Sequence, residues 1–482
     1  MGRQDLLSQP DTAACPAPGA AAPGATEQGG AAPGAAEPSV PHPVDEMLPL
    51  GRMSAVALQH VASMYAGVAA PPLIIGGAVG LTPSQLTTLL AANLFIAGVA
   101  TLLQTLGVWR IGSRLPFVNG VSFATVSPVL AVVEAKKGAA LPLIFGSTLI
   151  AGLACFLLAP LLCRLVRFFP PVVSGTVITL IGVSLLPVAG NWAQGGDAQA
   201  RGYGSVGNLA LAGSTLLAVL LLNRFLRGFL QRIAILFGLL IGTLVAIPFG
   251  KVNLHQLSAL PVFELPHPFA FGAPRFEVAS IVSMLVVMLV AMTESTADMI
   301  ALGEVVERPA DSRTIAAGLR ADGLATMVGG VFNGFICSAF AQNIGLVALT
   351  KIRSRFVVAL GGGFLIVMGL MPVVGGLVSL VPQPVLGGAG VVLFGSVAVA
   401  GLRTLGKADL AAGSNALIVA VSLALGVFPI AYPGFYHAFP QQIATILSSG
   451  ISAGCLAAIT LNLLFNHVGR RADSPATATE HD

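Results

Sequence analysis

Two carboxylates, Glu294 and Asp298, interrupt an apolar run from Ala279 to Leu302 that carries no other charge. An ionisable group at membrane depth is expensive to bury and marks a functional site. Four residues apart on a helix, the two acids face the same way. A second polar cluster, Gln342-Asn343, follows the short apolar segment Phe335–Ala341. A carboxylate offers two acceptors and a planar amide offers a donor beside an acceptor. That combination matches the edge of a heterocyclic base, where ring N–H and carbonyl groups alternate. Phe123 and Phe340 can supply stacking faces, and an acid such as Asp298 can take up and release a proton, which together imply proton-coupled uptake of a flat, polar solute.

The elements that must position these groups are membrane spans. Hydrophobic residues make up 55% of the 482 and charged residues 9%, against roughly a quarter charged in an ordinary globular domain. Residues 1–46 are rich in Ala, Pro and Gly without the apolar core of a signal peptide, and are expected to form a disordered cytoplasmic tail. Fourteen apolar runs follow between residues 54 and 466, each near the length that ~30 Å of hydrocarbon requires or somewhat shorter. Residues 467–482 are expected to form a second cytoplasmic tail, too short for an appended soluble domain.

Charge placement supports an even number of crossings. With both termini on one side, 19 of the 24 Lys and Arg residues fall there, and only Lys136, Lys137, Arg201, Lys251 and Arg275 lie opposite. Basic residues are retained on the cytoplasmic side of short loops, so both ends are expected to be cytoplasmic. The five cysteines, Cys15, Cys155, Cys163, Cys337 and Cys455, form no metal-ligand spacing and suggest no disulfide framework. No metal or cofactor is expected. Nor is an enzyme, because Cys337 and His60 are the only nucleophile and base candidates and lie on separate runs.

Two runs depart from an ordinary helix. Run three, 115–133, and run ten, 336–350, are short and hold Ser, Asn and Gly where a lipid-facing helix would hold Leu. Interrupted segments at matching places in two halves point to a transporter's binding site. Ser122-Phe123-Ala124 aligns with Ala339-Phe340-Ala341 at an offset of 217, and Pro171–Gly175 with Pro384–Gly388 at 213. Two near-equal offsets suggest a duplicated seven-span unit, and an odd number of crossings inverts the repeats across the membrane. The expected fold is therefore an all-α polytopic membrane protein with 14 transmembrane segments in two inverted seven-span repeats. Extended stretches before Phe123 and Gln342 should pair as short antiparallel strands in spans 3 and 10, since such backbone survives at depth only when buried in protein or lining a cavity.

These residues resemble the nucleobase-ascorbate transporters, or nucleobase:cation symporter-2 family. The signature Gln-Asn-x-Gly, then Thr and a basic residue, stands here as Gln342-Asn343-Ile344-Gly345 to Thr350-Lys351. The Gln-His pair of the first span is Gln59-His60, the acidic motif of the eighth is Glu294–Asp298, and the acid opening the ninth looks like Asp322. The resemblance covers about residues 47–466, with one departure: Ala297 stands where the motif commonly has Gly.

By that resemblance, a core domain (47–166 and 279–380) moves against a gate domain (167–250 and 381–466), with 251–278 an extracytoplasmic loop and a homodimer usual. It also implies that Glu294, Gln342, Phe123, Phe340 and the main chain at Ala341 hold the substrate. Asp298, His60, Asp322, Asn343 and Gln59 would serve proton coupling or support the site. Members that take uracil tend to carry Glu and His at the positions of Gln342 and Asp298, so this pattern points to the bacterial xanthine and uric acid permease branch, in the inner membrane. Uracil is the alternative substrate. The rival class is an anion exchanger or channel of the same architecture, which usually places no carboxylate at the position of Glu294.

Overall fold

The computed structural model describes residues 42–136, 139–165, 170–252, 260–411 and 413–467, with only the backbone described for 162–165. Most of both expected tails, part of the 251–278 loop, and Arg3, Lys137, Arg167, Arg470, Arg471 and Cys15 lie outside the described residues. Among those described, nine helices are long and apolar enough to cross a membrane, or ten if one bent pair counts as a single span.

The long helices are α1 (Leu50–Val79), α2 (Pro83–Leu106), α4 (Ala140–Leu165), α5 (Pro171–Gln194) and α6 (Val206–Phe225), with α3 (Val126–Lys136) a shorter piece between α2 and α4. After the 13-residue α7 (Ala234–Ala246) come α8 (Val278–Val305) and α9 (Ser312–Val331). The second half continues with the short α10 (Ala341–Thr350), α11 (Arg355–Gly369), α12 (Pro372–Ser379), α13 (Gln383–Leu405), α14 (Gly413–Ala431), α15 (Gln441–Leu447) and α16 (Gly450–Asn462). Four expected runs fall on elements that are short or polar. Runs three and ten are divided between strand and helix, run seven holds α7, and run nine holds α9 with Arg313, Arg320 and Asp322 on it.

Local sequence sets the ends and breaks of these helices. Thr82 caps α2, accepting from the Gln85 amide at 3.4 Å while the Gln85 side chain accepts from the Thr82 amide at 3.0 Å, a reciprocal capping box. Run eleven, expected as one helix over 356–380, is instead α11 and α12 meeting at 81°. Pro372, the first residue of α12, has no N–H to donate back into the preceding turn and its ring crowds that turn's carbonyl. Proline tolerates the start of a helix and breaks its middle.

Between the helices lie two three-residue strands. β1 (Asn119–Val121) and β2 (Cys337–Ala339) run antiparallel in the register Asn119 to Ala339, Gly120 to Ser338 and Val121 to Cys337. All six residues are buried, so their amides need partners inside the protein. The pairing extends past the strands, with Ser122 N donating to Ile336 O at 2.8 Å and Phe340 N to Val118 O at 3.1 Å. Helix hydroxyls accept the outward amides: Thr101 Oγ1 from Asn119 N, Ser295 Oγ from Ala339 N and Thr326 Oγ1 from Cys337 N, each at 3.1 Å.

Small residues let the surrounding helices approach closely. A Cβ added to Gly98 of α2 would meet the Gly362 carbonyl of α11 at 2.6 Å, and one added to Gly152 of α4 would meet the Gly323 carbonyl of α9 at 2.8 Å. α5 and α13 cross in the same way, with a Cβ on Gly182 meeting the main chain at Ala398. Cys155, Cys337 and Cys455 are free thiols buried in this packing. At one end of the helices, Asp45 pairs with Arg308 at 3.0 Å and with Arg355 at 2.7 Å. The Arg355 guanidinium also donates to the Thr105 and Leu106 carbonyls, where the end of α2 carries partial negative charge.

Candidate functional site

β1 leads through Ser122 into a single 3-10 turn, Phe123–Thr125, and then α3, while β2 leads through Phe340 into α10. Two chain breaks therefore point into the same region, and α8 runs beside both. Glu294 of α8 accepts a hydrogen bond from Ser338 Oγ of β2 at 3.3 Å, with the Ser122 hydroxyl also against it. Its carboxyl lines a narrow gap with Ser174, Val177 and Ile178 of α5. One turn on, Asp298 Oδ2 is buried with no hydrogen-bond partner among the described residues.

Gln342 and Ala341 are exposed at the start of α10. Gln342 lines a cavity of about 80 Å³ with Phe340, Ser63 and Gly67 of α1, Leu393 and Ser396 of α13, and Arg232 just before α7. This is well under the ~300 Å³ of an ordinary ligand pocket, so the region is closed down in this structure. Phe340 stands over two glycines: a Cβ on Gly67 would meet its ring at 2.9 Å and one on Gly120 at 2.5 Å. The Phe123 ring lies edge-on to Phe394 of α13, with centroids 6.1 Å apart, and Phe394 in turn leans on Trp192 of α5 at 6.2 Å.

The remaining expected residues sit further from these cavities. Asp322 does not open its helix: α9 begins at Ser312 with Asp311 as its cap, accepting from Thr314 N at 2.8 Å. Asp322 lies ten residues further in, fully buried, its Oδ1 accepting from Gln104 Nε2 at 2.7 Å and from Asn119 Nδ2, with the Ser295 hydroxyl near the carboxyl but no hydrogen bond formed at Oδ2 among the described residues. It thus fastens α2 and β1 to α9. Asn343 does not cap α10, whose N-cap Phe340 has no side-chain bond; it donates instead to the Pro116 carbonyl at 2.6 Å. His60 is buried within reach of Asn343, but farther than a formed hydrogen bond, and neither ring nitrogen has a close partner among the described residues. Gln59 is half-buried beside it on α1.

Sequence reasoning missed Ser122, Ser338, Ser174, Phe394, Trp192 and Arg232. Ser122 and Ser338 lie within the two broken runs and Ser174 near the start of α5, and their small polar character was the available signal. Nothing in the sequence pairs Phe123 with Phe394 or brings Arg232 to Gln342. A larger cavity, about 670 Å³ among α1, α7, α12 and α13, adjoins the Gln342 cavity, sharing Ala62, Ala66, Ile235, Leu236 and Leu393 with it, and has no charged residue in its lining. Its lining is otherwise apolar apart from Tyr65, Trp192 and Thr243, and the Tyr65 and Thr243 hydroxyls already donate to the Val374 and Leu239 carbonyls, so it offers little to a polar solute.

The profile of a family described as "Permease family" matches residues 51–435. The chain is 42% identical to a uric acid permease, PucJ, of Bacillus subtilis (strain 168) over 420 residues, covering 86% of this chain and 93% of that protein. It is 40% identical to a xanthine permease of the same organism over 416 residues, covering 86% and 94%. Among solved structures, the transmembrane domain of a cyanobacterial bicarbonate transporter, BicA, superposes with a TM-score of 0.57 at 18% identity, over 85% of this chain and 99% of that one. At that identity the likeness speaks for fold alone. With a multi-pass helical fold, two strand-broken segments meeting beside an acidic helix, and relatives at this identity over nearly their whole length, the chain belongs to this permease family, the nucleobase-ascorbate transporters.

Proposed function

We propose that the protein imports a purine base, xanthine or uric acid or both, by proton symport. The observation that carries this reading is Glu294: a carboxyl beside the tips of two paired strands, held by serine hydroxyls alone and facing α5 across a narrow gap. The names of the bacterial relatives supply the substrate class. In this reading Glu294 and Gln342 bind the edge of the base, the Ala341 main chain adds a donor, and Phe123 and Phe340 bound its faces. Asp298 exchanges the proton. His60 and Asn343, with Gln59, brace α10 against α1, and Asp322 holds the strand pair.

Alternating access follows from the two sides of the seam. Both small cavities have α1, α8 or α10 on one side and α5, α7 or α13 on the other. The proposed core (47–166 and 279–380) therefore moves against the proposed gate (167–250 and 381–466), uncovering the seam first on one face and then on the other. Fourteen spans in two inverted repeats are supported by the packing. α2 lies on α11 as α9 lies on α4, α1 on α11 as α8 on α4, and α6 on α7 as α14 on α16. Each pair becomes the other when the halves are exchanged. We place the protein in the inner membrane with both termini cytoplasmic, as a homodimer.

Uptake of labelled xanthine, urate and uracil into cells making the protein, with and without a protonophore, tests the reading. Saturable purine uptake that the protonophore abolishes is expected. Uracil uptake alone, or uptake indifferent to the protonophore, overturns the substrate or the coupling respectively.

A further inference from the structure

The cavity beside Gln342 contains one charged residue among those described, and it belongs to the opposite side of the seam. Arg232 ends a single helical turn, Phe229–Arg232, just before α7. Its guanidinium lies against the first turns of α10: a Cβ built on Gly345 would meet Nη1 at 2.6 Å, with Cζ and Nη2 at 3.5 and 3.6 Å. No carboxylate pairs with it among the described ion pairs.

The acids nearby are all on the other side. Glu294 and Asp298 lie on α8 and Asp322 on α9, and the lining of the Glu294 gap contains no cation. A negatively charged ligand in this seam would be repelled by Glu294 unless a cation compensates. Among the described residues lining the two small cavities, Arg232 is the one cation. A guanidinium is a planar fork of donors suited to an anionic edge made of ring nitrogen and carbonyl oxygen. Glycine at 345 leaves it room to lie along α10.

Resting on the purine-transport reading above, we propose that Arg232 determines specificity for the ionised form of the substrate, so that the site takes oxopurine anions such as urate in preference to neutral oxopurines. The guanidinium meets the anion from the α7 side while Gln342 holds it from the α10 side. The ligand thereby bridges the two walls of the seam.

The test compares urate and xanthine in mildly acidic buffer, where urate is still mostly ionised and xanthine is neutral. Arg232→Gln should raise the KM for urate at least tenfold relative to that for xanthine with maximal rate retained, and Arg232→Lys should recover most of the loss. Gly345→Ala, which pushes the guanidinium aside, should give the same selective rise in KM. Equal changes for both purines, or an unchanged KM ratio, overturn the proposal and leave Arg232 a role in packing or motion. A wild-type protein that takes up xanthine but never urate overturns this inference alone. One that takes up urate alone is judged by whether KM rather than maximal rate responds and by the lysine rescue. A wild type that takes up neither purine removes the transport reading and this inference with it.

Discussion

Asp322 and Glu294 are both acids placed among apolar helices, yet their surroundings are opposite. Asp322 is fully enclosed, and one of its oxygens accepts from an amide on α2 and an amide on β1. Glu294 is partly buried, has only serine hydroxyls for company, and borders a gap. A buried acid that holds amides of two other elements belongs to the framework. One whose lone pairs are left for a visitor belongs to the chemistry.

Four substitutions can break or sharpen that contrast. The largest effect on stability is expected for Asp322→Ala, which leaves the Gln104 and Asn119 amides without their acceptor. Breaking a buried charged network by removing one partner costs about 3–5 kcal/mol, so the midpoint of thermal unfolding in detergent should drop sharply and membrane yield with it. An alanine variant as stable as the wild type would erase the distinction between the two acids. Glu294→Gln loses little structure but should lower purine uptake by about a hundredfold, equivalent to ~2.8 kcal/mol, at unchanged amounts in the membrane. Near-normal uptake by that variant rejects the site assignment.

Asp298→Asn should fall between them in character. Its Oδ2 gives up no hydrogen bond, so stability should stay within about 0.5 kcal/mol. Uptake driven by a proton gradient should fall roughly tenfold, while exchange of labelled for unlabelled purine across the membrane persists. Loss of both activities together would make Asp298 a binding residue instead. The smallest effect is reserved for Asp311, the α9 cap, whose carboxyl is held below the usual aspartate range chiefly by hydrogen bonds from Thr314. Asp311→Ala should cost about 1 kcal/mol. Because the folded-state value is depressed, the wild-type advantage should be complete above about pH 4 and vanish as pH falls through the lowered value. An advantage that survives in stronger acid would contradict the capping role.

Much of this arrangement was readable in the chain. Small and polar residues in runs three and ten announced extended backbone, and the offset of 217 read from Phe123 and Phe340 lies one residue from the separation of Gly120 and Ser338, which face each other across the strands. What could not be read depends on partners far away in sequence. Asp322 looked like a helix start because its acceptor role is defined by Gln104 and Asn119, each about two hundred positions earlier. Asn343 was legible only as a member of the signature motif, because its partner, the Pro116 carbonyl, belongs to the other half of the chain. Arg232 read as one more loop charge until the fold laid it on Gly345. The bend at Pro372 was legible in principle, and the apolar run through it concealed the break.

The pairing of β1 with β2 also sets a timetable for biosynthesis. Asn119, Gly120 and Val121 leave the ribosome long before Cys337, Ser338 and Ala339, which complete their ladder. Throughout that interval the nascent first half carries unmet main-chain amides that lipid cannot satisfy. The half-made polypeptide must therefore be sheltered near the insertion machinery until its counterpart emerges. A chain truncated shortly before residue 337 should be degraded rapidly, however hydrophobic its completed helices are.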